Sequence, residues 1–136
     1  MDDLVLQGGC LCGAIRYQFS GTASSSSTCF CQSCRRASGA PSVSWFVGKL
    51  GQLAWLSGQA QAYRSSAPVT RTFCASCGTP VSYQHRDRPD DIEITTASLD
   101  QPEAMPPSEE IWLSHKVAWA VSDPRLRHFS EENPLA

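Results

Sequence analysis

The stretch CFCQSC, residues 29–34, places Cys29, Cys31 and Cys34 within six positions and is followed at once by Arg35 and Arg36. A hydrophobic core has no need of that density. In an extended chain residues two apart face the same side, so Cys29 and Cys31 point together while Phe30 points away. The next two residues then turn and bring Cys34 to the same centre. Three thiolates suit a metal but leave a tetrahedron one ligand short, and a catalytic zinc keeps such a position open for water or substrate.

Two more clusters lie on either side. CLC carries Cys10 and Cys12, and CASC carries Cys74 and Cys77 with Gly78 behind them. Zinc holds thiolates at ~2.3 Å, which sets neighbouring sulfurs about 3.8 Å apart. An extended CLC meets that demand if Leu11 turns away into apolar packing, and a tight turn in CASCG meets it too. The two pairs together make four ligands, a closed structural site able to contribute folding energy. A second grouping, CQSC with CASC, would leave Cys10, Cys12 and Cys29 over.

Seven cysteines are an odd number, so disulfides alone cannot use them all, and clustered thiols in a reducing compartment read as metal binding or catalysis. The N-terminus is acidic and lacks the apolar segment of a signal peptide, which makes a cytoplasmic location the expectation. No apolar run approaches the ~20 residues of a membrane helix. A formal charge of −2 and the lack of a basic tail argue against a general nucleic-acid binder. With 136 residues, 41% of them hydrophobic, one folded domain is expected over 1–130, with a frayed tail over 131–136.

Working outward, strand signals dominate. In residues 14–20, Ile15, Tyr17 and Phe19 alternate with polar neighbours, the period of a half-buried strand. Strands are also expected over 41–47, 52–58, 59–65, 79–85 and 90–98, with Gly58 at a hairpin turn between the second and third of these runs. A short helical turn is expected over 33–38. The serine-rich 20–28 reads as a flexible connector and 103–110 as a surface loop. The expected class is therefore mainly β, a single domain of short antiparallel sheets.

The order and spacing of these clusters resemble one family across most of the chain. GGCLCGAIRY (8–17), CFCQSCRRASGAP (29–41) and RTFCASCGTPVSY (71–83) are similar to the motifs of the glutathione-dependent formaldehyde-activating enzymes, which share their domain with centromere protein V. ITTASLDQPEAMPP (94–107) and IWLSHKVAWAVSDPRLRHFSEENP (111–134) resemble the family's C-terminal part. The resemblance implies a β-tent fold with two zinc sites. Cys10, Cys12, Cys74 and Cys77 would hold the structural ion, and Cys29, Cys31 and Cys34 the catalytic one. The implied activity is that of a carbon–sulfur lyase joining or splitting glutathione and a small aldehyde, formaldehyde in the named case. Two positions depart from the family: Phe30 and Glu110 stand where histidine is common, and both bear on substrate choice.

Arg35 and Arg36 are candidates to orient the carboxylates of a glutathione-like tripeptide through paired N–H donors. Of Trp45 and Phe46 a regular strand lets at most one face the site, and a core role is the expectation for either. Trp55, Trp112 and Trp119 read as core or interface packing. His85, His115 and His128 each read as a surface or hydrogen-bonded residue rather than a ligand, His85 standing nearest a metal of the three because its strand begins beside Cys77. Asp100 is expected to cap a turn, and residues 123–132 read as a solvated segment. The competing class is a non-catalytic zinc module for protein or nucleic-acid binding.

Overall fold

The computed structural model describes residues 4–134. Its strands, in chain order, are β1 (Val5–Gly9), β2 (Arg16–Ser20) and β3 (Ser25–Cys29), followed by an α-helix, α1 (Gln32–Ser38). Then come β4 (Val43–Lys49), β5 (Leu53–Ser57), β6 (Gln61–Ser66), β7 (Val69–Phe73), β8 (Pro80–His85), β9 (Asp91–Thr95), β10 (Glu109–Ile111) and β11 (Arg127–His128). They form a three-stranded sheet, β1-β2-β5, and an eight-stranded sheet, β11-β10-β3-β4-β9-β8-β7-β6. The fold is mainly β, as the alternation predicts.

The core lies between the sheets. Ile15, just before β2, and Tyr17 and Phe19 on it meet Phe46, Val81 and Ile94 from the large sheet, all almost fully buried. Phe19 packs edge-on against Phe46 with ring centroids 5.0 Å apart, a favoured aromatic geometry. Asp100 does not cap a turn through its side chain; it grips Arg16 with two hydrogen bonds of 2.9 and 2.6 Å at the margin of the small sheet.

Several expectations are corrected. Gly58 does not close a hairpin, because β5 pairs with β2 while β6 pairs with β7. The chain crosses there from one sheet to the other. Gly58 has φ +75°, and a Cβ on it would lie 2.2 Å from the Ala14 carbonyl oxygen. The serine-rich connector contains a central strand: β3 lies between β4 and β10, with Ser26 and Ser27 buried. Serine has little strand preference of its own, and flanking strands supply the ladder that propensity does not.

The expected loop over 103–110 ends in strand β10, where Glu109 and Glu110 are buried. Glu109 accepts hydrogen bonds from Arg127 and Asn133, and Glu110 accepts one from the Asp123 N–H while His128 approaches its carboxylate at 3.1 Å. The expected solvated segment and the start of the tail are thus anchored: Arg127 and His128 pair in parallel with β10, and the Glu131 carbonyl accepts from Trp112 N–H. The final two residues of the expected tail lie outside the described residues. Residues 96–98 leave the expected strand for a 3-10 turn.

Candidate metal centres and their cavity

Four thiols converge where the turn after β1 meets the turn before β8. The Cys10, Cys12, Cys74 and Cys77 sulfurs all lie within 4.8 Å of one another. Cys10 and Cys12 sulfurs are 3.6 Å apart, and Cys12 and Cys74 sulfurs 3.8 Å, close to the edge of a zinc–thiolate tetrahedron. CLC is not extended. Cys10 heads a turn closed by Gly13 N–H on the Cys10 carbonyl, and Leu11 is 88% exposed rather than packed. CASCG is the tight turn expected, with Gly78 at φ +82° and its N–H on the Cys74 carbonyl. Thr79 joins the two turns: its hydroxyl accepts from Leu11 N–H and sits 3.2 Å from the Cys77 sulfur. That hydroxyl, with backbone donors from Thr79 and Cys12, draws the Cys77 thiol down to about 5.

The second set sits at the junction of β3 and α1. Cys29 ends β3, Cys31 caps α1 with its sulfur accepting the Cys34 N–H at 3.3 Å, and Cys34 is buried in the helix. Their sulfurs also lie within 4.8 Å of one another. Cys31 is held far below an ordinary thiol by hydrogen bonds from Cys29 and Cys34, helped by the Cys34 N–H and the Arg71 charge. The same sharing pushes Cys29 up, and burial adds to it. Either cluster has the donor chemistry to hold zinc.

Arg71, on β7, is a residue the sequence reading missed. Its two terminal nitrogens stand 3.8 and 3.7 Å from the Cys34 sulfur. Its guanidinium carbon lies 5.9 Å from the Trp45 ring centroid and 5.1 Å from that of Tyr83, close enough for cation–π attraction. The alternating pattern of residues 69–73 was the available signal, since it places Arg71 and Phe73 on one face of a strand.

The trio opens on a cavity of about 310 Å³ walled by Trp45, Arg71, Tyr83, Glu93, Trp112 and His115 among others. Burial raises the Glu93 carboxyl to about 7, against the pull of Arg88 and Arg71. A second cavity of about 580 Å³ shares Trp45 and Arg71 with the first and is lined further by Arg36, Tyr63 and Phe73. Of the two expected substrate-binding arginines, Arg36 lines this second cavity and Arg35 lines neither. Phe46 enters the core, the role expected of both neighbours, whereas Trp45 packs on Cys29 and Cys34 and walls the trio cavity, as a regular strand allows one of the two to do. His85, expected nearest a metal, instead accepts the Asp87 N–H on its Nδ1, whereas His115 walls the trio cavity. Trp112 reaches that cavity too, while Trp55 and Trp119 are 44% and 74% exposed rather than buried in the core. Phe30 is buried.

Comparison with known proteins adds three findings. A family model described as "Glutathione-dependent formaldehyde-activating enzyme" matches residues 5–115. No curated protein matches the chain. A crystal structure of a Rhodobacter sphaeroides protein is similar with TM-score 0.58 and 24% identity, over 69% of this chain and 87% of that one, a likeness of fold alone. Among the described residues no helix is long and apolar enough to cross a membrane.

Proposed function

The chain belongs to the glutathione-dependent formaldehyde-activating enzyme family, and from that premise we propose that it is a carbon–sulfur lyase acting on adducts of glutathione, or a similar thiol, with a small aldehyde. The observation that carries this is the unequal partition of seven sulfurs. Four converge on one centre, while three open on a cavity beside an arginine. In this reading Cys10, Cys12, Cys74 and Cys77 hold a structural zinc, and Cys29, Cys31 and Cys34 hold a catalytic one. Zinc at the trio supplies a positive centre that favours the thiolate form of a bound thiol.

The protein's own groups do the rest. Arg71 offsets the negative charge of the thiolates and so lowers the electrostatic cost of admitting another anion. The second cavity has room for the body of a peptide thiol, with Arg36 on its wall to pair with a carboxylate. Trp45 and Trp112 flank the smaller cavity and limit the water near the reacting carbon. A cytoplasmic setting fits this reading, since the chemistry needs reduced thiols.

The test is calorimetry of the zinc-loaded protein with reduced glutathione, followed by exchange spectroscopy of glutathione with formaldehyde. Heat of binding and accelerated formation of the hydroxymethyl adduct are expected. A loaded protein that neither binds thiol nor speeds adduct exchange with any small aldehyde is instead a zinc module.

A further inference from the structure

Among the described residues Trp112 is the one non-glycine residue at positive φ, with φ 58° and ψ 37°. A bulky side chain occupies that region only where the surrounding fold enforces it, and such strain gathers at functional sites. The enforcement is visible. Trp112 N–H donates to the Glu131 carbonyl at 3.0 Å, Leu113 N–H to Phe129 and Ser114 N–H to Ser130, while the Ser114 hydroxyl donates to the Ser130 carbonyl at 2.6 Å. The C-terminal segment therefore straps the bend in place. The bend starts the 3-10 turn Leu113–His115 and carries the His115 ring against Trp112, centroids 4.9 Å apart, into the wall of the trio cavity.

One hydrogen bond fixes the state of that ring. Gln32 N–H approaches His115 Nδ1 at 3.3 Å. A backbone N–H can only donate, so Nδ1 is the acceptor, and the uncharged imidazole carries its hydrogen on Nε2. Gln32 follows Cys31 directly. The ring is thus registered to the loop that presents the thiols. His115 does not join the trio as a fourth ligand here, because the set of ligand atoms within 4.8 Å of one another contains the three sulfurs alone.

We propose that His115 is a catalytic residue whose Nε2–H donates a hydrogen bond to the aldehyde-derived oxygen of the adduct; this deepens the lyase reading and rests on it. In the forming direction the thiolate sulfur supplies the electron pair of the new C–S bond, and the C=O π pair withdraws onto oxygen. His115 stabilises that oxygen and keeps its own proton. Water returns to the oxygen the proton that the thiol released to water on binding. Cleavage runs the same steps backward: the hydroxyl gives its proton to water, the C=O bond reforms and the sulfur leaves with the C–S pair.

The tests are a nitrogen-15 spectrum of the zinc-loaded protein and turnover of two variants. The spectrum should show His115 Nδ1 unprotonated and Nε2 protonated. His115→Phe should lower kcat about 100-fold, the usual effect of losing one oxyanion donor, with KM for glutathione and zinc per chain unchanged. His115→Gln, which keeps an N–H donor, should recover part of the loss. The reverse tautomer, an unchanged kcat in His115→Phe, or zinc lost from that variant overturns the assignment, the last by making His115 a ligand. If His115→Phe does not fold, the spectrum and the glutamine variant decide. A wild-type protein without turnover overturns both the lyase reading and this one, whereas an active wild type with an equally active His115→Phe overturns this one alone.

Discussion

Arg71 lies close to the Cys34 sulfur and within cation–π reach of both the Trp45 and the Tyr83 ring. With a divalent cation bound, the three thiolates would leave one negative charge, which the guanidinium would offset while attracted to both rings. Lysine has the charge but neither the fork nor the stacking plane. Arg71→Lys should therefore weaken zinc retention at the trio, by about 10-fold or more as for other partners of metal ligands, and leave the quartet's zinc untouched. Competition with a chromogenic chelator separates the two. Glu93 makes a different prediction. Its side chain keeps 21% exposure, and burial raises it from 4.5 to about 7. The folded state then holds a proton that the unfolded state has already released, so stability falls as pH rises from about 4.5 to about 7. The whole effect is at most about 3 kcal/mol at ~1.4 kcal/mol per pKa unit. Glu93→Gln should be more stable than the parent at pH 8, with the gap narrowing toward pH 5, as thermal melts of the zinc-loaded proteins would show. A gap that does not change with pH would mean that burial does not govern this carboxyl.

Among the elements, the crossing from β5 to β6 depends on one glycine. Gly58→Ala would place a Cβ against the Ala14 carbonyl and force a side chain into positive φ. A loss of about 1–3 kcal/mol is expected in urea unfolding, with no change in zinc content. An unchanged midpoint would mean that the crossing relaxes freely. Hydrophobic period found β2, β4, β8 and β9 because each turns an apolar face to a core. The period could not find β3, whose sequence SSSTC has no apolar alternation; its place is set by β4 on one side and β10 on the other. Nor did it separate β5 from β6 as members of different sheets. Two short strands joined through a glycine look alike whether they pair with each other or part.

For the molecule as a whole, the two clusters stand in different relations to the core. Cys10 and Cys74 belong to the main buried cluster between the sheets, while Cys29 and Cys34 pack with Trp45 in a smaller one. Cys74→Ser should therefore unfold the domain, whereas Cys34→Ser should leave it folded with one zinc rather than two and without thiol binding. Circular dichroism with metal analysis checks both, and collapse of Cys34→Ser as complete as that of Cys74→Ser would remove the division between structural and open sites. The sequence by itself determined that the chain is mainly β and that its cysteines fall into three local clusters, because strand period and ligand spacing are local properties, whereas the fold decided that CLC closes on CASC and leaves the middle three apart. Only the tertiary structure decided what surrounds the three. Arg71, His115 and Trp112 reach the cavity from β7 and the C-terminal turn, dozens of residues from Cys34, and such meetings depend on how strands order themselves in a sheet. No local pattern records that order, since it is settled by which buried faces fit together.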